Sequence, residues 1–257
     1  MKPFHLIALG RYSGYCLTQA HFARIDSRVH FCTASTDGCI GLWPLDPAQD
    51  TKGHISDSKK HYLKYDTSLG SICIGDSLNS LAIIPVHQNS INCMNTDELC
   101  DGDLLITTVG DDGALAFTRV VGREKHDQDS ELYSIASTES RANDIATLYS
   151  TLLVPKAHSS AISTVKLLDS GTGTAVDQRI FRLATCGKDQ RLKIWRVSAN
   201  LEKPAMEGFA IIREQTIHTS IADVSSLELL ISGVECGPHV VVAGIGIERL
   251  AVGEKSE

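Results

Sequence analysis

Three stretches of this chain repeat one strand–turn–strand pattern at fixed offsets, and that recurrence limits the fold more than any other feature. They are FCTASTDGCIGLWPL from position 31, LITTVGDDGALAFTRV from 105 and LATCGKDQRLKIWRV from 183. Asp37, Asp112 and Asp189 align at the turns, and Thr33, Thr108 and Thr185 each stand four residues earlier. Six residues after each Asp come Trp43, Thr118 and Trp195. Apolar residues alternate on either side of each turn, which is the period of a β-strand. Asp37-Gly38 and Asp112-Gly113 are favoured hairpin pairs, because glycine takes a positive φ without a steric penalty. Asp189-Gln190 is a poorer pair, so the third hairpin is expected to lean more on its buried contacts. A supersecondary unit repeated this way predicts an all-β stacked array.

A second signal precedes two of the hairpins. VHQNSINCM puts His87 four residues before Ile91, and AHSSAISTVKLL puts His158 four before Ile162. Each reads as a loop histidine followed by a short buried strand. Ahead of these lie LAIIPV (81–86) and TLLVPK (151–156), extended apolar segments ending near a proline, as edge strands do. One unit is therefore expected to hold four strands: an outer one, the strand after the histidine, and the hairpin.

These residues resemble the WD-repeat family of β-propellers. The resemblance implies that a loop histidine, a strand hydroxyl, the turn aspartate and the tryptophan form one hydrogen-bonded network per blade. It assigns His158, Thr185, Asp189 and Trp195 to the third unit. The second unit receives His87, Thr108 and Asp112, with Thr118 replacing the tryptophan. The first receives Thr33, Asp37 and Trp43 and has no clear loop histidine, Tyr12 being nearest. A fourth, degenerate unit runs through IHTSIADVSSLELL and HVVVAGIGIERLAV, with His218 but no turn Asp or Trp. The expected architecture is thus a partial WD-repeat propeller of about four blades over 1–257.

Spacing exposes insertions. Asp37 and Asp112 are 75 residues apart and Asp112 and Asp189 are 77 apart, against roughly 40–45 for a compact blade. The excess falls in polar segments at 46–70 and 122–144, whose charge and hydroxyl content reads as loop rather than as further domains.

Charge and cysteine content narrow the chemistry. A net charge of −7 lacks the basic footprint of a stand-alone nucleic-acid binder, though it does not exclude a local basic patch. Eight cysteines include no C-x-x-C pair, so neither a zinc site nor a metal is expected. Cys32, Cys93 and Cys186 lie in apolar runs and read as buried thiols. No apolar run reaches the ~20 residues that span a bilayer, and the N-terminal apolar patch is too short for a signal peptide. A cytoplasmic protein without membrane contact is the expectation.

Enzyme signatures are weak. GTGTAVD (171–177) and GIGIER (244–249) have glycine spacing reminiscent of nucleotide loops but no following helix pattern. The first reads as a loop within one unit, the second as the final hairpin turn. Nucleophile-elbow, zinc-protease and Walker motifs are missing from the sequence. His158 alone would serve as a general base, yet its spacing to Thr185, Asp189 and Trp195 favours a structural role. No catalytic residue and no cofactor is expected.

The order of motifs over Gly14 to Val252 is similar to the C-terminal part of one group of WD-repeat proteins. These are the non-catalytic partner subunits of the tRNA 2′-O-ribose methyltransferase that modifies the wobble nucleotide. The resemblance implies an adaptor that docks the catalytic subunit, which carries S-adenosylmethionine, and that meets tRNA through the complex. The alternative is a general interaction scaffold, such as a ubiquitin-ligase receptor or a trafficking adaptor. The W-D-x-R sequence typical of the former is absent, since Trp195 is followed by Arg-Val-Ser.

Overall fold

The computed structural model describes residues 9–10, 15–25, 28–44, 64–66, 71–73, 77–78, 82–99, 102–121, 149–173, 178–203, 206–230 and 239–253. In chain order the strands are β1 (Leu9–Gly10), β2 (Leu17–Ile25), β3 (Arg28–Ser35), β4 (Cys39–Pro44), β5 (Lys64–Asp66), β6 (Ser71–Cys73), β7 (Ser77–Leu78) and β8 (Ala82–Pro85). There follow β9 (Ile91–Glu98), β10 (Leu104–Gly110), β11 (Leu115–Val120), β12 (Tyr149–Val154), β13 (Ile162–Thr172), β14 (Gln178–Gly187), β15 (Arg191–Asn200), β16 (Phe209–His218), β17 (Ala222–Leu230) and β18 (His239–Ala251). Every described element is a strand.

Three antiparallel sheets of four strands carry the architecture: sheet I is β2-β3-β4-β8, sheet II is β9-β10-β11-β12 and sheet III is β13-β14-β15-β16. Sheet IV is the pair β17-β18. Two minor pairings, β5 with β6 and β1 with β7, form separate two-stranded sheets. The polar segments at 46–70 and 122–144 lie outside the described residues except for 64–66 in β5.

The structure groups the outer strands differently from the sequence reading. LAIIPV and TLLVPK were expected to open the units that contain His87 and His158. Instead β8 pairs with β4, closing sheet I, and β12 pairs with β11, closing sheet II. The loop histidine thus sits after the last strand of one sheet and before the first strand of the next. Each is tied backwards by its backbone: His87 N–H donates to the Gly38 carbonyl and His158 N–H to the Gly113 carbonyl, both at 3.0 Å.

Turn chemistry follows expectation. Gly38 and Gly113 take φ of +81° and +70°. At Gly38 even the bare Cβ of an alanine would lie 2.2 Å from the His87 carbonyl oxygen, so close approach as well as backbone conformation requires glycine. The third turn forces the left-handed conformation on Gln190, at φ +55°.

The apolar layers lie between sheets. One joins Ile40, Leu42 and Ile84 of sheet I to Ile91, Leu104 and Ile106 of sheet II. A second joins Leu105, Leu115 and Phe117 to Val165, Leu183 and Trp195 of sheet III. A third joins Ala184, Leu192 and Ile194 to Val224, Leu227, Val240 and Val242 of sheet IV. Sheet II is covered on both faces, which is why every residue of β10 and β11 is buried and their polar–apolar alternation fades. Cys32, Cys93 and Cys186 are buried in these layers as expected, and burial pushes the Cys32 and Cys186 thiols up to about 12.

One ion pair staples sheet II to sheet III. Arg119 on β11 donates through Nε (2.8 Å) and Nη2 (2.6 Å) to the Asp103 carboxylate, and both side chains are almost fully enclosed. Its guanidinium also donates to the carbonyls of Lys203 and Leu201, in the β15–β16 connection. Removing one member strands the other charge. Asp103→Ala is expected to destabilise the fold by about 3–5 kcal/mol, whereas replacing Asp103 and Arg119 together by apolar residues costs much less. Denaturant unfolding of the two variants measures the difference.

Candidate functional site: the network at the sheet ends

The predicted residues of the third unit come together as one chain of hydrogen bonds. Trp195 Nε1–H donates to Thr185 Oγ1 at 2.8 Å. Thr185 Oγ1 is also 2.8 Å from His158 Nε2, and His158 Nδ1 is 2.8 Å from Asp189 Oδ1. The backbone N–H and the hydroxyl of Ser159 donate to Asp189 Oδ2 at 3.1 and 3.2 Å. The strand period explains the placement. Thr185 and Trp195 project from the same face of adjacent strands, and the turn returns Asp189 to the loop carrying His158.

Donor bookkeeping assigns the protons. An ionised Asp189 only accepts, so His158 Nδ1 carries a hydrogen and donates it. Burial favours the neutral imidazole, leaving a lone pair on Nε2. Thr185 then donates its one hydroxyl proton to Nε2 and accepts from the indole. The chain runs one way, from Trp195 through Thr185 and His158 to Asp189, with each donor used.

Electrostatics agree. Burial holds the His158 pKa below its ordinary 6.5; the hydrogen bond and charge of Asp189 oppose this, and Lys193 and Arg191 reinforce it. Burial by itself raises the Asp189 carboxyl, but the hydrogen bonds from His158 and Ser159 outweigh it and hold the group below 3.8. Lys193, buried beside this chain, donates Nζ to the Ala157 carbonyl.

The second unit preserves the lower half. His87 Nδ1 lies 3.0 Å from both Asp112 oxygens and Nε2 lies 3.0 Å from Thr108 Oγ1. Gln88 N–H donates to Asp112 Oδ2 at 3.2 Å, the place Ser159 takes in sheet III. Thr118, standing where the tryptophans stand, is fully buried and bonds across the sheet to the Thr151 hydroxyl at 3.0 Å. In the first unit Trp43 Nε1–H donates to Thr33 Oγ1 at 2.9 Å. Asp37 accepts from Cys39 N–H at 3.0 Å and from the Ser35 hydroxyl, so Ser35 is a participant that the motif offsets did not single out. Tyr12 lies outside the described residues.

The fourth unit departs from expectation. His218 ends β16 and is exposed. The histidine slot belongs to Thr219, whose N–H donates to the Gln190 carbonyl at 3.0 Å as His87 and His158 do to their turn carbonyls. Its hydroxyl donates to Glu248 Oε2 at 2.6 Å, and Ser220 N–H donates to the same oxygen at 2.8 Å. Glu248 thus replaces the turn aspartate. The sequence held one clue: Thr219-Ser220 parallels His158-Ser159. GIGIER, expected as a turn, lies inside β18. Gly244 there packs against the Ala222 and Asp223 carbonyls, where the β17 register shifts and leaves no room for a side chain.

These side chains meet inside sheet ends, bonded to one another, rather than around an open cleft. Among the described residues no group of three or more His, Cys, Asp or Glu is placed to hold a metal.

Successive antiparallel sheets, the third with a complete His–Thr–Asp–Trp network, are similar in arrangement to the blades of WD-repeat β-propellers. Residues 149–196 match the family model "WD domain, G-beta repeat". Nearly the whole chain is similar to the "tRNA (34-2'-O)-methyltransferase regulator WDR6" of Rattus norvegicus, 23% identical across 96% of this chain. The Mus musculus protein of the same name is 22% identical across 96%. This chain spans 19% of the length of each relative. The crystal structure of the WD40 domain of SCAP from fission yeast overlays with a TM-score of 0.41 at 8% identity, covering 95% of this chain and 44% of that one.

Two outcomes are expected. Trp195→Ala opens a cavity and leaves the Thr185 hydroxyl short of a donor, costing about 3–5 kcal/mol by chemical denaturation. A depressed histidine pKa contributes stability that is complete above the unfolded value of 6.5 and is lost as pH falls below it. The depressed carboxyls of Asp112 and Asp189 add a second loss once pH drops under 3.8. In unfolding free energy plotted against pH, the histidine contribution is therefore lost below 6.5 and the carboxylate contribution below 3.8. Asp97, pushed up to about 6 by burial, gains stability as pH falls and offsets part of the first loss. His158→Gln shrinks the histidine contribution. His21, also depressed by burial and by Lys166, supplies part of what remains.

Proposed function

We propose that this chain is a non-catalytic WD-repeat adaptor that docks a tRNA 2′-O-ribose methyltransferase and helps position tRNA for methylation of the wobble nucleotide. One observation carries the reading: 96% of the chain aligns with proteins named as regulators of that reaction. The structure adds support of a different kind. Side chains with catalytic potential, His87, His158, Asp112 and Asp189, are committed to one another and to buried hydroxyls. The chemistry belongs to the partner enzyme, which carries S-adenosylmethionine, and the work is done in the cytoplasm. An adaptor of this kind accelerates methylation by fixing the reacting geometry, which removes an entropic part of the barrier.

The experiment is affinity purification of the tagged protein, paired with measurement of wobble 2′-O-methylation in cells lacking its gene. Recovery of a tRNA methyltransferase together with lost wobble methylation is expected. Full methylation in those cells, with no methyltransferase retained, overturns the adaptor reading and leaves a general interaction scaffold.

A further inference from the structure

The charge of this chain is unevenly distributed. Residues 82–121, which include most of sheet II, contain one Lys or Arg against six Asp and Glu. Residues 149–218, spanning β12 to β16, contain ten Lys and Arg against six Asp and Glu. A chain of net −7 therefore has a locally inverted region at sheet III.

The topology brings part of that charge together at the β14–β15 turn and on the adjoining face of β15 and β16. Arg191 and Lys193 alternate onto the same face of β15 as Trp195. Arg213 joins them from β16, because it pairs with Trp195 across a register shift, and directly opposed residues share a face. Lys188 occupies the exposed β14–β15 turn. Lys156 is brought in by the loop after β12, since its neighbour Ala157 accepts the Lys193 ammonium. Burial holds the Lys193 pKa below 10.5 against the nearby charge of Asp189, and repulsion from Arg213 and Arg191 adds to it, a sign that these cations lie within reach of one another.

Their counter-charges are engaged elsewhere. Asp189 is bonded to His158 and Ser159, and Glu248, on the neighbouring sheet, to Thr219 and Ser220. Arg182, on the same sheet, pairs with Glu214 and Asp169. Among the described residues no carboxylate forms an ion pair with Lys156, Lys188, Arg191 or Arg213.

We propose that the turn end of sheet III, with the loop that leads into it, binds the phosphate backbone of an RNA. The inference deepens the adaptor reading and rests on it for the class of polyanion. Guanidinium forks suit phosphate oxygens, each accepting two parallel hydrogen bonds. The residues between the cations are polar, Ser159, Gln190, Thr216 and His218. A protein-docking patch has an apolar centre with a polar rim; exposed Ile212, next to Arg213 in the chain, falls on the other face of β16 by strand alternation, so the cations do not ring it. Contacts of this type set register and affinity without reading bases.

The test is binding of the full chain to an anticodon stem–loop RNA across a salt series, with a polyglutamate peptide as the competing polyanion. The Arg191→Gln/Arg213→Gln variant is expected to bind the RNA at least tenfold more weakly. The slope of log affinity against log salt should flatten by about 1.5 for two lost phosphate contacts. Both side chains are outside the buried core, so melting should be unchanged, and Arg24→Gln on sheet I should alter neither quantity. Undetectable RNA binding by the unaltered chain, or equal RNA affinity in the double variant, overturns the proposal. Preference for polyglutamate over RNA also overturns it and reassigns the patch to an acidic protein segment. Methyltransferase retention is scored separately in the same variants. Its persistence alongside lost RNA binding supports both readings, and its absence from the unaltered chain sinks the adaptor reading alone.

Discussion

A threonine hydroxyl has one proton to give, and the ordering of sheet III depends on where Thr185 gives it. The proton goes to His158 because the other ring nitrogen has already donated to Asp189, and the oxygen is then free to receive the Trp195 indole. Four side chains from two strands, a turn and the preceding loop are thereby held in one arrangement with no donor left over. A buried polar chain of this sort is costly when partly satisfied and specifying when complete. It joins two neighbouring sheets: His158 arrives from the segment that has just left β12 of sheet II, while its partners belong to sheet III.

That junction is repeated with variations, and the variations obey the same rule of satisfaction. Sheet II lacks the indole, and its replacement, Thr118, turns to Thr151 on the next strand. Sheet I uses Ser35 against Asp37. Sheet IV substitutes a hydroxyl for the imidazole and a glutamate for the aspartate, so the longer acid reaches the shorter donor. Between the junctions the apolar layers supply most of the driving force, and local polar staples fix how each sheet sits on the next. Gln19 accepts from Met94 N–H between sheets I and II at 2.6 Å, and Asn92 donates to the Ile162 carbonyl between II and III at 3.0 Å.

The hairpins were legible because their constraints are local. The offsets from Thr to Asp to Trp follow from strand length and turn geometry, both of which leave a mark in sequence order. Assignment of β8 and β12 was not legible, because a strand preceding a histidine is equally adjacent in sequence to the sheets on either side. Only hydrogen bonding to β4 and β11 decides it. Thr219 was missed for a related reason. Its slot is defined by a backbone bond to Gln190, while a real histidine one position earlier drew the eye. GIGIER was misread because glycine relieves crowding inside a strand as readily as it makes a turn.

The same commitment of polar groups that stabilises the sheets bears on what the molecule can do. A general base needs a free lone pair facing solvent or substrate. The lone pair of His158 is occupied by Thr185, and Asp189 already accepts from His158 and from Ser159. Freeing either group would undo the junction between sheets II and III. What is left uncommitted lies at the rim, where Arg191, Arg213, Lys156 and Lys188 project beside the locked network. A backbone already ordered by the network lowers the entropic cost of the polyanion contact proposed above, leaving only the side chains to order on binding. On the proposed reading, scaffold and RNA contact share one arrangement: the network that orders the turn end of sheet III also orders the backbone from which these cations project.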